Sequence, residues 1–167
     1  MAQEPKKDRF ATYVVAGIVI VSIALVGAFK YSENSKNSKV VYPSTVNADK
    51  GTGITFNGDL TGVPKVDIWE DFQCPICQQF EIVQASYIDS LITEKKAQVT
   101  FHTLSFLGDE SVRAANAAAC AADEDKFIDY HNALYANQPK TENSGEWTND
   151  RLIAIGKVAG VTSAAFA

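Results

Sequence analysis

The stretch EDFQCPICQQFE (residues 70–81) decides how this chain is interpreted, because it holds two of the three cysteines, separated only by Pro75 and Ile76. Pro75 suits the first position of a helix, which places Cys74 at the helix N-terminus and Cys77 one turn inside, on the same face. The two sulfur atoms can therefore reach each other. Unpaired amide hydrogens and the positive end of the helix dipole favour a thiolate at Cys74. The spacing predicts a reactive dithiol, with Cys74 as the nucleophile and Cys77 as the resolving thiol.

Hydrophobic periodicity on both sides of the motif indicates a strand–helix–strand unit. A strand is predicted at residues 65–72, and a helix is predicted from the motif to about Lys95. The apolar residues of this helix recur at helical spacing at Phe80, Val83, Tyr87 and Leu91. The segment AQVTFHTLSFL (97–107) predicts a second strand, so the dithiol lies where the first strand enters the helix. A short strand is expected before this unit, in ITFNGD, which turns at Asn57-Gly58.

Three helical patterns follow the second strand, at residues 110–122, 125–137 and 148–160. Thr148 is a suitable N-cap for the last of these helices. Cys120 lies in the Ala-rich stretch AANAAACAAD, where a lone cysteine is expected to be a small buried hydrophobic residue. A regulatory or intermolecular disulfide is the alternative for this odd thiol. His131 is expected to lie on a helix surface or to pack against its neighbours.

An apolar segment near the start of the chain predicts a transmembrane helix. Residues 11–29 contain no ionisable group apart from Tyr13, and a helix of this length spans about 28 Å, which matches the hydrocarbon core of a bilayer. Basic residues precede it, at Lys6, Lys7 and Arg9. They predict a single-pass protein of the cell membrane, with a cytoplasmic N-terminus at 1–10 and the remainder outside the cytoplasm. A cleaved signal peptide ending near Val26-Gly27-Ala28 is the alternative.

The remainder of the chain divides into a polar linker and one folded domain. Residues 30–53 are rich in Ser, Asn, Lys and Gly, which predicts an extracytoplasmic linker. A composition of 46% hydrophobic and 21% charged residues is typical of one ordered domain, expected at residues 54–167. The first 30 residues carry four basic and two acidic groups and are therefore net positive. The remaining residues carry a net charge of −7, which gives the total of −5 for the chain. Because no basic patch with interleaved aromatic residues occurs, the sequence argues against nucleic-acid binding.

The cysteine pair has three alternatives to redox activity. A structural disulfide would close a ring of four residues, which gains little loop entropy and therefore stabilises a fold poorly. A zinc site would need two further ligands, and neither His102 nor His131 has a finger-like spacing from Cys77. Copper delivery by thiols and a distant imidazole stays open on spacing alone. A redox centre without metal or cofactor is the preferred hypothesis.

Residues around the cysteines are candidates for proton transfer and for tuning the redox potential. Asp67 and Glu70 lie in a strand that is expected to be buried, where each can relay a proton to the resolving thiol or simply reach water. Pro75 and Ile76 tune the dithiol, and Ile76 supplies neither charge nor hydrogen bond. With acidic residues nearby, we expect a potential between roughly −120 and −270 mV. Dithiols outside the cytoplasm tend to be kept oxidised, so the expected direction is donation of a disulfide.

Two segments together resemble the membrane-anchored, DsbA-like thiol–disulfide oxidoreductases of bacteria, a group with the thioredoxin fold. Residues 66–81 (VDIWEDFQCPICQQFE) resemble the family's strand and CPxC helix start, and residues 113–138 (RAANAAACAADEDKFIDYHNALYANQ) resemble its helical insertion. The resemblance covers roughly residues 54–166 and implies an α/β thioredoxin-like fold with a helical insertion. It also implies Cys74 as the attacking cysteine, Cys77 as its partner, and a quinone-linked membrane oxidase of the DsbB or VKOR kind as electron acceptor.

One part of the family pattern is missing from this sequence. The family places a cis-proline loop beside the CxxC after the helical insertion, followed by two antiparallel strands and a final helix. No proline follows Pro139, which itself belongs to the helical region. We therefore expect the domain at 54–167 to be incomplete at its C-terminus, and to continue past Ala167 in a longer protein; a degenerate fold is the alternative.

These features give two functional hypotheses of different classes. The first is a membrane-tethered oxidoreductase that donates or exchanges disulfides in exported proteins through its CPIC motif. The second is a thioredoxin-fold accessory subunit or assembly factor of a larger membrane protein complex. Mixed disulfides trapped by a variant without Cys77 would favour the first hypothesis. Co-purification of an intact complex regardless of the cysteines would favour the second.

Overall fold

The computed structural model describes Tyr42, residues 46–47 and residues 53–166. The predicted cytoplasmic N-terminus, the predicted transmembrane helix and most of the predicted linker lie outside the described residues. Within the described part of the chain, none of the helices combines the length and the apolar content that crossing a bilayer requires.

A mixed sheet of four strands forms within the described residues, in the order β1–β2–β4–β3. Its strands are β1 (Val46–Asn47), β2 (Ile54–Phe56), β3 (Lys65–Asp71) and β4 (Gln98–Leu104). The pairs β1·β2 and β2·β4 are antiparallel, whereas β3 and β4 are parallel. Helix α1 (Pro75–Thr93) connects the two parallel strands, so the predicted strand–helix–strand unit is confirmed.

Alternation along the strands places the core on the face of the sheet that α1 covers. Val99 and Phe101 of β4 and Ile68 of β3 are buried, because successive side chains of a strand point to opposite faces. Helix α1 contributes three buried apolar residues, Ile88, Leu91 and Ile92, from its C-terminal half. Aromatic rings connect this core to the helices that follow β4: the ring centroids of Phe101 and Phe127 lie 5.2 Å apart.

Three helices follow β4 and form the helical insertion: α2 (Asp109–Ala122), α3 (Phe127–Ala136) and α4 (Asn149–Ala159). Their positions agree with the three predicted helices to within a residue or two at the ends. Thr148 is the N-cap of α4, as predicted, because its Oγ1 accepts a hydrogen bond from the Arg151 amide at 3.2 Å. Small side chains line the buried side of α2 and let it pack closely: Ala114, Ala118, Ala121 and Ala122.

One of the following two sequence predictions needs correction, and the other is confirmed. Cys120 is exposed rather than buried, because the alanines of α2 fill the buried face and the cysteine lies on the outer one. The turn after β2 forms at Asn57, whose φ is 57° and whose carbonyl accepts a hydrogen bond from the Leu60 amide at 3.1 Å. However, β2 pairs with β4 and not with β3, so this turn does not close a hairpin between consecutive strands.

The buried Asn57 gives a stability prediction. Its Nδ2 donates to the carbonyls of Ile92 and Ala97, at 2.9 and 3.1 Å, and so fixes the end of α1. Asn57→Ala removes both hydrogen bonds and places alanine, which has no polar side chain to stabilise this conformation, at positive φ. The free energy of unfolding should fall by about 2–4 kcal/mol. Asn57→Gly loses the same bonds without the backbone strain and should cost about 1 kcal/mol less. Guanidinium unfolding of the two variants tests this order, and wild-type stability in both would contradict it.

Candidate active site

The CPIC motif lies where β3 ends and α1 begins. Cys74 is the N-cap of α1, with φ −74° and ψ 119°, and Pro75 occupies the start of the helix as predicted. The Cys74 amide donates to the carbonyl of Asp71 at 2.9 Å, which closes the turn between strand and helix. Cys74 and Cys77 are both free thiols and both half-buried. A sulfur at the start of a helix faces unpaired backbone amides, which is the arrangement the sequence predicted.

The two thiols differ in their surroundings. Burial is the largest cause that raises the pKa of Cys77, from 9.0 to about 11. A hydrogen bond to the backbone of Asp71 opposes the rise, whereas the hydrogen bond to Cys74 and the charge of Glu70 add to it. In the reduced protein Cys77 is therefore a neutral thiol at neutral pH, in direct contact with its partner sulfur.

An apolar groove runs along β3 and α1 to Cys77. Its volume is about 370 Å³, and it is lined mainly by apolar side chains: Val66, Ile68, Trp69, Ile76, Phe80 and Ile88. Ile76 is 75% exposed and Trp69 is 62% exposed, so large apolar side chains face solvent beside the dithiol. Such a surface suits an extended, apolar polypeptide better than a small polar ligand.

The buried carboxylate of Asp71 stabilises the turn that leads into the motif. Its Oδ1 accepts hydrogen bonds from the Gln73 amide at 2.9 Å and from the Ser111 hydroxyl at 2.6 Å. Its Oδ2 accepts a third bond from the Leu107 amide, at 3.2 Å. Both oxygens are thus satisfied, as a buried charge requires, and two of the three donors come from the segment after β4. In the sequence, Asp71 is visible only as one of the acidic residues near the cysteines, so this role was not predicted.

The end of α3 reaches the motif from the other side. The Nε2 of Gln138 donates to the carbonyl of Phe72 at 2.7 Å and to the carbonyl of Cys74 at 3.1 Å. In return, the Nε2 of Gln78, on α1, donates to the carbonyl of Tyr135 at 2.8 Å. Neither glutamine was singled out by sequence reasoning, because nothing local in the chain indicates a contact across about 60 residues.

The two carboxylates predicted as proton relays lie on opposite faces of β3. Glu70 is buried, and its Oε1 lies 2.7 Å from the Nε2 of His131. Asp67 is exposed and pairs with His102 at 2.8 Å, so the expectation that it is buried is wrong. The cause is strand alternation, which turns every second side chain of β3 away from α1.

His131 is fully enclosed rather than on a helix surface, so only the packing alternative of its prediction is confirmed. Its ring contacts four aromatic side chains: Phe72, Phe101, Phe127 and Tyr135. Burial alone would lower the pKa of His131, but the charge and hydrogen bond of Glu70 outweigh it and raise the pKa. The pair is therefore a buried ion pair at neutral pH.

A second buried acid, Glu81, faces the same ion pair from α1. Burial is the main cause that raises the pKa of Glu81 from 4.5 to about 7; the charge of His131 lowers it, and Glu70 and Asp89 raise it further. One carboxylate oxygen each of Glu81 and Glu70 is buried without a hydrogen-bond partner. Donor atoms of Glu70, Glu81 and His131 lie within 4.8 Å of one another, and among the described residues this is the group that could hold a metal ion. It includes neither cysteine nor His102.

The elevated pKa of Glu81 predicts how stability depends on pH. Between pH 4.5 and about 7 the folded protein keeps a proton on Glu81 that the unfolded chain releases, so stability falls as the pH rises through this range. Glu81→Gln should therefore be more stable than wild type by about 1–2 kcal/mol near pH 8, and should lose this advantage near pH 5. Urea unfolding at both pH values measures the difference. Glu94→Gln, an exposed change on the same helix's end, is the control; equal curves for all three proteins would refute the prediction.

Comparison with known proteins agrees with this geometry. The family model described as Thioredoxin (Thioredoxin_4) matches residues 50–167. The chain is 28% identical over 116 residues to the serine/threonine-protein kinase PknE of Mycobacterium tuberculosis, which covers 63% of this chain and 20% of that protein. It is 32% identical over 97 residues to the probable disulfide bond formation protein D of Bacillus cereus, which covers 56% of this chain and 44% of that protein. The chain thus spans less than half the length of these curated relatives.

Solved structures show the same fold. MdbA, a thiol-disulfide oxidoreductase from Corynebacterium diphtheriae, superposes with a TM-score of 0.63 at 21% identity, covering 78% of this chain and 70% of that one. Reduced DsbA from Mycobacterium tuberculosis superposes with a TM-score of 0.56 at 27% identity, covering 76% and 65%. The predicted thioredoxin-like α/β fold with a helical insertion is confirmed. Because the matching family model covers well over half of the sequence, the chain belongs to the thioredoxin family, and within it to the DsbA-like group that its sequence resembles.

Proposed function

We propose that this chain is a thiol–disulfide oxidoreductase that donates disulfides to exported proteins, or exchanges them, through Cys74 and Cys77. One observation carries the proposal: two free thiols in contact at the start of α1, beside an apolar groove that can receive a polypeptide. The likeness to DsbA of Mycobacterium tuberculosis and to the disulfide bond formation protein of Bacillus cereus supports the same chemistry.

The reaction begins with the oxidised form, in which Cys74 and Cys77 share a disulfide. A substrate thiolate attacks Cys74, the bond between the two cysteines breaks, and Cys77 leaves as a thiolate. Because the pKa of Cys77 is about 11, its sulfur takes up a proton at neutral pH. A second substrate thiolate then attacks the substrate sulfur of the mixed disulfide and releases Cys74. Two electrons pass from the substrate dithiol to the enzyme, and the substrate gains one disulfide.

Glu70 is the better placed of the two predicted relay residues. It is buried, its charge acts on Cys77, and it lines the same groove as the cysteine. Asp67 lines this groove at its solvent side and is held by His102, so it can act only at the outer end of such a relay. The proton that Cys77 takes up would come through the buried group formed by Glu70, Glu81 and His131.

Pro75 and Ile76 complete the proposed redox centre. Pro75 fixes the helix start, and the exposed Ile76 contributes no charge or hydrogen bond to the dithiol. These properties support a potential between roughly −120 and −270 mV, above that of thioredoxin itself. A dithiol in this range can donate its disulfide to proteins outside the cytoplasm.

The proposed place of action rests on the apolar segment at 11–29, and the proposed electron acceptor rests on the family resemblance. A transmembrane helix at 11–29 with preceding basic residues would tether the domain to the outer side of the cell membrane. Reoxidation of the dithiol there requires an electron acceptor, for which a membrane oxidase of the DsbB or VKOR kind is proposed from the family resemblance. The exported proteins that it serves would bind in the apolar groove.

Trapping of mixed disulfides tests this function. Cys77→Ala in the full chain leaves Cys74 without its resolving partner, so disulfide-linked adducts with exported proteins should accumulate. The adducts appear as higher-mass bands on non-reducing gels and disappear after reduction. Cys74→Ala should abolish them.

The exposed Cys120 needs its own control, since it can form adventitious disulfides. All variants are therefore made in a Cys120→Ser background. Adducts that persist with Cys74→Ala, or their absence with Cys77→Ala, would show that Cys74 is not the attacking cysteine.

A further inference from the structure

The amide of Gln138 joins the helical insertion to the backbone that leads into α1. Gln138 follows the last turn of α3, and its Nε2 bonds the carbonyls of Phe72 and Cys74, at 2.7 and 3.1 Å. The Cys74 carbonyl also accepts the first hydrogen bond of α1, from the Gln78 amide at 3.1 Å. One side-chain amide therefore fixes the two carbonyls on either side of Gln73, next to the proposed attacking sulfur.

These hydrogen bonds act on charge as well as on geometry. Carbonyl oxygens close to a sulfur carry negative partial charge, which opposes negative charge on that sulfur. The amide hydrogens of Gln138 offset this charge and hold the carbonyls in one orientation. Gln138 is itself half-buried, so water screens the effect only in part. The effect matters whenever Cys74 carries negative charge, as it does on release from a mixed disulfide.

We propose that Gln138 is a positioning residue through which the helical insertion stabilises the reduced dithiol and so makes the protein a stronger oxidant. This inference rests on the proposed exchange at Cys74 and Cys77. Gln138 does not touch the reacting sulfur; it acts through the carbonyls of Phe72 and Cys74. Removing the Gln138 amide favours the disulfide form. Negative charge on Cys74 arises only when the disulfide opens, and it then lacks the donor that offsets the partial charge of the two carbonyl oxygens.

A neighbouring contact provides a control for simple structural loss. The side chain of Gln78 joins the same two helices by donating to the Tyr135 carbonyl at 2.8 Å, but this side-chain bond does not involve the carbonyl of Cys74. Gln78→Ala should therefore weaken the packing of α1 against α3 without removing the donor to Cys74. Gln79 is exposed on α1 and supplies a second control.

Equilibration with glutathione in the full chain tests the proposal. For the reaction of oxidised protein with two glutathione molecules, Gln138→Ala should lower the equilibrium constant for reduction by about threefold to tenfold, where tenfold corresponds to ~30 mV. Gln138→Glu, which places a carboxylate where the donor was, should lower it further. Gln78→Ala and Gln79→Ala should stay within about twofold of wild type.

Melting of both redox forms separates positioning from structure. In Gln138→Ala the Tm of the reduced form should fall more than that of the oxidised form, whereas Gln78→Ala should lower both equally. An unchanged equilibrium constant in Gln138→Ala, with or without loss of Tm, overturns the role of Gln138 and leaves the proposed function standing. Failure of the wild-type dithiol to exchange with glutathione at all overturns both.

Discussion

The carboxyl end of β3 places two acidic side chains inside the protein, and the geometry of the dithiol depends on how these charges are paired. Glu70 is bonded to His131 of α3, and Asp71 is bonded to Ser111 of α2 and to the segment before it. An unpaired buried carboxylate would cost several kcal/mol, so the buried positions of Glu70 and Asp71 depend on their partners in and before the helical insertion. The turn that carries Cys74 is thus held by residues from outside the strand–helix–strand unit.

The same strand serves two environments because its side chains alternate. Ile68 and Glu70 are buried on the side of α1, while Asp67 and Trp69 are exposed on the other side, where the Trp69 ring stacks on His102 with centroids 3.8 Å apart. A shift of one residue in the pairing of β3 with β4 would exchange the two sets. It would expose Glu70, leave His131 buried without its partner, and remove the charge that acts on Cys77. The register of this parallel strand pair therefore decides whether the charge of Glu70 adds to the rise in the pKa of Cys77, which burial mainly causes.

Sequence reasoning located the elements but not the contacts between them. The strand before the motif, the start of α1 and the Thr148 cap depend on neighbouring residues, and their patterns are visible in the chain. The pairing of Glu70 with His131 joins residues 61 positions apart and leaves no local pattern. One signal was available: His131 lies in the apolar stripe of its helix, with Phe127 and Leu134, and a histidine there and a carboxylate in a buried strand each need a partner. Considering the two together would have predicted the ion pair.

Cys120 and Asp67 were misplaced for a related reason. Cys120 was assigned to the core because a lone cysteine is usually buried, and its position around the helix, outside the face formed by Ala114, Ala118 and Ala121, was not used. For Asp67, the whole of β3 was treated as buried, as in a parallel strand covered on both sides. Within the described residues β3 is the edge strand, and the exposed Asp67 and Trp69 show that the face away from α1 is open to solvent.

The buried acids also explain why an electrostatically costly arrangement is compatible with the proposed chemistry. A core built for stability alone would replace Glu81 with an apolar residue, since one of its oxygens has no hydrogen-bond partner among the described residues. Because its pKa is about 7, Glu81 gains or loses a proton near neutral pH. In the proposed exchange Cys77, four residues earlier on the same helix face, alternates between a disulfide and a neutral thiol. Opening the disulfide consumes one proton in this enclosed region and closing it returns one. A group that exchanges its proton at neutral pH keeps the change in buried charge small in both directions, which lowers the electrostatic cost of each redox step.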